Sequence, residues 1–554
     1  MENQLRKMIQ EAVEDLAQSW GKPVKDLAYD VLVSRDPAHG DFSVNAAFKI
    51  ASQVGKTPKE IARSLHTWIE AYRPKRKEVA FITRVEVAGA GFLNFYVKQA
   101  AITDVLTEVL RQEDHYGSSD FGKEQKVLVE FVSANPTGPL TIAHGRQAAI
   151  GDSLVRILRE TGHEVAAEYY LNDAGRQMNL LGESVYVRYL ENFEIEAVFP
   201  EEGYHGNYIR EIAKALVAER KDELLKHEKA EAINEAREFA GKMMMETIEK
   251  DLKAIGVQFD AYFSERTLYQ KDAVEDTLTV LSERGHLYKQ DGALWFRSTT
   301  FGDDKDRVVK KTSGDYTYLA PDIAYHRSKF ERGYNRIINL WGPDHHSYIT
   351  RLKAACRALG YEQEKIDILI VQLTTLYRQG VPVRMSTRAG EFVTLEELRQ
   401  EVGPDATRFF FIMRRVETPL DFDLELAKKK SDENPVYYLQ YAYARIASLL
   451  RFSERTVPDK ADLDLLKAPE ELDLVKVVSD FPRALISSSQ ALEPYRLADF
   501  LRELAAAFHR LYAHHRVVSE DDELTKARLI LVEAVRITLQ NGLRLLGISQ
   551  PENM

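Results

Sequence analysis

The stretch from Lys126 to Leu158 constrains the fold most. Val127-Leu128-Val129-Glu130-Phe131-Val132 is a short apolar run. It breaks at Ser133-Ala134-Asn135-Pro136-Thr137-Gly138-Pro139, and Ile150, Leu154, Ile157 and Leu158 then recur at helical spacing. A run of that kind predicts a parallel strand buried on both faces. Strand, breaker and helix in that order form the opening half of a doubly wound α/β unit. Val165–Leu171, which ends in Asn172-Asp173, predicts the next strand, and Arg336–Leu340 and Ile366–Val371 predict two more. Open sheets of this class bind ligands beyond the carboxyl ends of their strands, so the segment Ser133–His144 is the first candidate site.

The remainder of the chain divides around this unit. Residues 1–113 read as a small α+β domain. It opens with a helical pattern (Leu5, Ile9, Val13, Leu16) and closes with two strands, Arg84–Val87 and Phe92–Val97, around Gly89-Ala90-Gly91. Residues 114–392 carry the nucleotide-type fold, with a charged, mostly helical insertion over about 176–290. A connecting segment, 393–430, leads to a helical region, 431–554, whose last helix stops near Gly547 and Pro551. At 554 residues, three to four domains are expected, enough to bury several cores without disulfide or metal staples. Cys356 is the single cysteine, which excludes an intramolecular disulfide framework and a Cys-cluster zinc site. No apolar run of about 18 residues exists, so no membrane span is expected, and a reducing, cytoplasmic setting is the default. The net charge of −11 argues against a uniformly basic RNA-binding surface but leaves room for a local basic stripe.

Two segments carry chemistry. The first holds Ser133, Asn135, Thr137, Thr141 and His144 between a strand end and a helix start, where free backbone N–H groups attract phosphate. The second, Arg384-Met385-Ser386-Thr387-Arg388, sets two cations around a small polar pair in a loop that can close over a triphosphate. The adjacent histidines His345 and His346 follow Trp341-Gly342. They point to different faces and lack a nearby third ligand, so no metal site is expected there.

Taken together, these segments resemble signatures of the class I aminoacyl-tRNA synthetases. Asn135–His144 resembles the "HIGH" segment and Arg384–Arg388 the "KMSKS" loop. The finer resemblance, along essentially the whole chain, is to the arginyl-tRNA synthetase family. It rests on Val129–Pro139, Glu168–Gly175, Asp315–His326, Trp341–His346, Asp405–Arg408, Glu433–Tyr438 and Leu545–Met554. Two departures bear on the rate of activation. Thr141 and Ala143 stand where HIGH has histidine and glycine; in KMSKS, Arg384 stands for the first lysine and Thr387 for the second, and Gly138 occupies the place where some members carry a compensating lysine.

The resemblance implies a Rossmann-type class I catalytic domain with an inserted connective region, a small α+β N-terminal domain that contacts the corner of the tRNA, and an all-α anticodon-binding bundle. It implies L-arginine, ATP, Mg²⁺ and arginine tRNA as substrates and partners, and a monomer that charges the tRNA in two steps. His144, Thr141, Arg384 and Ser386 are then the catalytic candidates. Pro136, Thr137, Gly138, Thr141, His144, Gly342, Arg384, Met385 and Ser386 would bind ATP. Glu130, Ser133, Asn135, Tyr318, Asp322 and His345 would bind arginine, with Glu130 and Asp322 as carboxylates facing the guanidinium fork. Tyr437, Tyr441 and Arg445 would contact unpaired bases. The region from Ser431 to Met554 holds 15 Lys+Arg against 19 Asp+Glu, so its RNA contact must be a restricted patch. Two other readings are an RNA-binding relative that has lost activation, and a cysteine synthetase. The latter family's zinc site needs cysteines that this chain lacks.

Overall fold

The computed structural model describes residues 1–25, 27–34, 39–383, 393–453 and 455–554. The first helix, Glu2–Trp20, buries Leu5, Met8, Ile9 and Val13 and ends at Gly21, whose φ of 71° terminates it. It packs with helices Ala46–Val54 and Pro58–Tyr72 on an antiparallel sheet of β1 (Val31–Val33), β2 (Phe42–Val44), β3 (Ile82–Ala88) and β4 (Phe92–Val97), in the order β1-β2-β4-β3. Thr57 caps the Pro58–Tyr72 helix in a reciprocal box with Glu60, which satisfies two of its orphan backbone donors. The next helix, Gln99–Gln112, lies within the stretch read as the first domain, yet it packs against the C-terminal helices, and Gln99 Nε2 donates to the Leu466 carbonyl at 2.8 Å.

The central sheet has five parallel strands: β5 (Lys126–Glu130), β6 (Glu164–Leu171), β7 (Ala261–Ser264), β11 (Arg336–Trp341) and β12 (Ile366–Ile370), in the order β12-β11-β5-β6-β7. β5 is central and almost wholly buried, which is why it reads as a continuous apolar run. It stops at Glu130, two residues short of the sequence expectation, because Val132 and Ser133 take φ of 68° and 40° and turn the chain. The helix Ile142–Glu160 packs so closely on the sheet that a Cβ on Gly151 would stand 2.3 Å from the Phe131 ring.

Helices Arg176–Glu191, Asn207–Arg220 and Lys229–Ala254 form the insertion around a core of their own. The chain rejoins the catalytic sheet as β7, well before the expected end of the insertion near 290. Four residues among charged helices gave that strand too little pattern to detect. A hairpin layer follows, β8 (Leu287–Gln290), β9 (Ala293–Phe296) and β10 (Arg307–Lys310), and then helix Leu319–Glu331. β13 (Thr374–Arg378), β14 (Val381–Pro382) and β15 (Leu420–Asp423) make a small sheet in which β15 lies inside the connecting segment 393–430. The C-terminal bundle runs from Pro435–Phe452 to Asp522–Leu546. Its last helix is capped by Asp521 and closed by Gly547 at φ 68°.

Arg408 fastens the bundle to the catalytic layer. Fully buried, it donates to the carbonyls of Leu546 and Ile255, both at 2.9 Å, and pairs with Asp152 Oδ2 at 2.6 Å.

Candidate active site

The site starts from the turn after β5. A β-branched residue at positive φ is rare and costs about 1–3 kcal/mol. Here Val132 is followed directly by Ser133, also at positive φ. The turn is held by Ser133 N–H donating to the Phe131 carbonyl at 2.9 Å. It brings Ser133 Oγ to Glu130 Oε1 at 3.0 Å, and the same oxygen accepts from Tyr170 N–H at 3.1 Å. Asn135 donates from Nδ2 to Gln177 Oε1, and Thr137 N–H donates to the Asn135 carbonyl at 2.7 Å.

Thr141 is the N-cap of helix Ile142–Glu160. Its backbone N–H donates to His144 Nδ1 at 3.2 Å, which makes that nitrogen the acceptor. The proton of the neutral ring therefore sits on Nε2, a donor available to a ligand. Burial pushes the His144 pKa down to about 4, so the ring is neutral at pH 7. Ala143 is exposed.

Arg384, Met385 and Ser386, with Thr387 and Arg388, lie outside the described residues. The chain after them is placed. Thr394 bridges Thr141 in antiparallel fashion, and Leu395 N–H donates to the Leu140 carbonyl at 2.8 Å. Thr394 and Leu395, which follow the second sequence segment, thus lie against the start of the helix that follows the first.

A cluster of buried carboxylates lies beside this turn. Asp322 stands in the first turn of helix Leu319–Glu331, and its Oδ2 accepts from Tyr348 Oη at 2.6 Å. Burial, reinforced by the charges of Glu265 and Glu130, raises its pKa to about 7. Glu265, directly after β7, accepts from Tyr269 Oη at 3.0 Å, and the amide of Asn172 donates to its other oxygen at 3.0 Å. The Tyr170 hydroxyl also bonds Glu265, whose pKa burial raises. Glu130 is the exception among the three, because the chain supplies its own cation. Lys329, with no exposed surface, donates to Glu130 Oε2 and to Asn339 Oδ1 at 2.9 Å, and lies 4.2 Å from the Tyr325 ring centroid. Asn339 in turn meets His326 Nε2 at 2.9 Å, and His326 Nδ1 lies 2.8 Å from the Asp322 carbonyl. One buried polar chain therefore ties Glu130 to the turn that carries Asp322.

Glu265, Tyr348, Tyr170 and Lys329 escaped the sequence reading. Only the carboxylate and phenol types could have signalled them, and both types are common elsewhere in the chain. Tyr318 is the N-cap of the Leu319–Glu331 helix and 78% exposed, so it does not bond Asp322 as Tyr348 does. His345 is in the short helical turn Pro343–Tyr348, more than half exposed, with Nε2 3.5 Å from Asp344 Oδ2. Gly342 closes β11, and a Cβ there would meet Asp344 Oδ1 at 2.6 Å. Lys310, in β10, pairs with Glu275 at 3.0 Å.

In the C-terminal bundle, Tyr437 and Tyr441 stack at 6.1 Å. Arg445 donates to Tyr441 Oη at 2.6 Å and lies 4.6 Å from the ring centroids of both Tyr441 and Tyr512. Tyr441, Arg445 and Tyr512 line a cavity of about 390 Å³ with Phe452, which is 84% exposed, and Met554. Tyr443 instead packs in the core.

Three sequence families match consecutive stretches of the chain. They are described as the arginyl tRNA synthetase N terminal domain (residues 3–97), the tRNA synthetases class I (R) catalytic domain (105–412) and the DALR anticodon binding domain (439–554). The chain is 47% identical over 523 residues to an arginine--tRNA ligase of Desulfosudis oleivorans, covering 93% of each chain. It is 46% identical to that of Bacillus subtilis, covering 94% of this chain and 93% of the relative. The fold matches Thermus thermophilus arginyl-tRNA synthetase with a TM-score of 0.77 at 23% identity, over 99% of this chain and all of that one.

Proposed function

The chain belongs to the arginyl-tRNA synthetase family, ligases that join L-arginine to its tRNA at the expense of ATP, and we propose the following division of that work among its residues. Activation is an in-line attack of the arginine carboxylate on the α-phosphate of ATP, with pyrophosphate leaving. No protein nucleophile is needed, so positioning and charge stabilisation carry the catalysis. His144 donates from Nε2–H to a phosphate oxygen, and Thr141 holds that tautomer through its backbone N–H. Free N–H groups at the start of the Ile142–Glu160 helix add to the anion cradle. Pro136, Thr137, Gly138 and Gly342 line the nucleotide, and Arg384, Met385 and Ser386 close on the pyrophosphate from the other side. Mg²⁺, when bound with ATP, would supply positive charge to the triphosphate beside these residues. The arginyl group then passes to the ribose hydroxyl of the terminal adenosine.

The arginine side chain enters the carboxylate pocket. Asp322 and Glu265 face the guanidinium fork, and Glu130, braced by Lys329, sets the inner wall. Ser133, Asn135 and His345 hold the α-amino end, and Tyr318 covers the mouth. Tyr437, Tyr441 and Arg445 stack on anticodon bases at the far end of the molecule, and residues 1–113 contact the tRNA corner. The enzyme acts as a monomer in the cytoplasm, where translation takes place.

One observation carries this reading: buried carboxylates with raised affinity for protons stand next to a helix-start anion site, which suits a ligand that is cationic at one end and reacts with phosphate at the other. The test is ATP–pyrophosphate exchange with and without tRNA. Exchange that depends on L-arginine and ignores lysine and citrulline supports the assignment. Normal tRNA binding with no exchange would instead identify an RNA binder that has lost activation.

A further inference from the structure

The loop from Ser133 to Pro139 does little to hold itself. Two of its residues, Pro136 and Pro139, have no backbone donor, and its one internal backbone bond after Ser133 is Thr137 N–H to the Asn135 carbonyl. Tyr169 of β6 donates from its hydroxyl to the Ala134 carbonyl at 2.7 Å, and the hold on the loop beyond Ala134 comes from the helical insertion. Gln177, at the start of helix Arg176–Glu191, accepts from the Asn135 amide. Tyr208, at the start of helix Asn207–Arg220, donates from its hydroxyl to the Thr137 carbonyl at 2.8 Å. The tyrosine and the loop are fitted to each other, since a Cβ on Gly138 would stand 3.1 Å from Tyr208 Oη and 3.4 Å from Cζ.

Tyr208 also belongs to another body. It packs against the insertion's own core of Tyr186, Tyr189, Ile209 and Ile212, which is separate from the core beneath the catalytic sheet. Any shift of the insertion therefore reaches the nucleotide loop through the Tyr208 hydroxyl and the Gln177 amide.

We propose that Tyr208 and Gln177 are positioning residues for adenylate formation, through which the helical insertion clamps the 133–139 loop in its ATP-binding conformation. The inference rests on the nucleotide assignment of that loop given above. Tyr208 touches no reacting atom, and its effect passes through Thr137 and Gly138. An insertion that sets the ATP loop also offers a route by which events on its surface alter activation without touching the arginine pocket.

The experiment is steady-state ATP–pyrophosphate exchange on the full chain with saturating tRNA, comparing Tyr208→Phe, Gln177→Ala, Gly138→Ala and the double variant Gly138→Ala/Tyr208→Phe. Loss of one neutral hydrogen bond predicts about a fivefold rise in the ATP KM for Tyr208→Phe, with the arginine KM unchanged. Gln177→Ala should do the same to a smaller extent, because its bond is exposed. Gly138→Ala should raise the ATP KM in the parent but add little in the Tyr208→Phe background, because the atom it meets is then gone. An unchanged ATP KM in Tyr208→Phe, equal rises for ATP and arginine, or strict additivity in the cycle would overturn the clamp while leaving the ligase assignment intact. A parent enzyme without arginine-dependent exchange would overturn both.

Discussion

If Asp322 receives the guanidinium as proposed, arginine binding is pH-sensitive. The Asp322 carboxyl is buried, receives one hydroxyl bond from Tyr348 and faces the charges of Glu265 and Glu130, and its pKa rises to about 7 in the pocket. A guanidinium needs the ionised form as its acceptor, and its own charge does not change in this range. From a pKa of 7, about 90% of the empty enzyme is competent at pH 8 and about 10% at pH 6, so apparent arginine affinity should fall about tenfold between them. His144, with a pKa near 4, stays neutral across this window and adds no slope. The linkage to stability has the opposite sign. The folded pKa lies above the model-carboxylate value of 3.8, so ionisation is disfavoured by the fold, and the ligand-free chain loses stability as pH rises from about 4 to about 7. Arginine should therefore raise the melting temperature more at pH 8 than at pH 6. The assay is the arginine KM of pyrophosphate exchange at saturating MgATP and tRNA over pH 6 to 8, beside Asp322→Asn. The variant should show a large arginine KM and little residual pH slope, with ATP binding preserved. A flat arginine KM in the parent, or an equal slope in the ATP KM, would refute the argument.

Glu265→Gln keeps the shape and removes the charge. Losing one partner of a buried charged contact predicts a fall of about 10²-fold in kcat/KM for arginine at constant ATP KM, measured by the same exchange. Because a neighbouring negative charge is gone, the pH midpoint assigned to Asp322 should also move down. Arg408→Met strips partners from two buried carbonyls and from Asp152, a class of change that costs about 3–5 kcal/mol. The value should fall at the low end, because Arg156 still pairs with Asp152 at 2.8 Å, and a lowered urea midpoint would register it. Arg445→Ala removes the cation held by Tyr441 and Tyr512. It should raise the tRNA KM about tenfold or more in aminoacylation while leaving exchange at saturating tRNA near the parent rate.

The parts of this molecule that were legible in its sequence are those written in local periodicity. β5, β6, β11 and β12 are apolar runs, and the helix Ile142–Glu160 follows its breaker as expected. The parts that escaped depend on distance along the chain or on backbone geometry. Glu265 follows a four-residue edge strand embedded among acidic helices, where a glutamate reads as a solvated charge. Tyr348 reaches Asp322 across 26 residues, and Lys329 reaches Glu130 across 199, separations that no periodic pattern encodes. Tyr318 is expected at the arginine site beside Asp322 only through the family resemblance. Helix formation begins only at Leu319, and the ring is left exposed. Val132 is the sharpest case, since a valine at φ 68° contradicts its own propensity and can be read only from the folded backbone.

Under the proposed assignment, that strained turn also explains how the site would tell the two ends of arginine apart. Val132 and Ser133 reverse the chain within two residues. Ser133 Oγ consequently bonds Glu130 on the pocket side, while the loop that follows leads to the helix start at Thr141. Two fields of opposite sign thus lie on either side of one turn. On one side stand Asp322 and Glu265, carboxylates without a buried cation of their own, since Lys329 is committed to Glu130. On the other stand the free N–H groups of a helix start and the Nε2–H of His144. An arginine molecule has a fixed cation at one end and its carboxylate at the other, so only one orientation satisfies both fields. That orientation points the carboxylate at the phosphates. The reversed pose would set a carboxylate against Asp322 and Glu265, and like charges in a poorly solvated pocket are disfavoured by several kcal/mol, on the order of the penalties found at protein interfaces. The strain stored at Val132, about 1–3 kcal/mol, is smaller than this orientational preference, and the bonds that Ser133 makes to Glu130 and Tyr170 offset part of it.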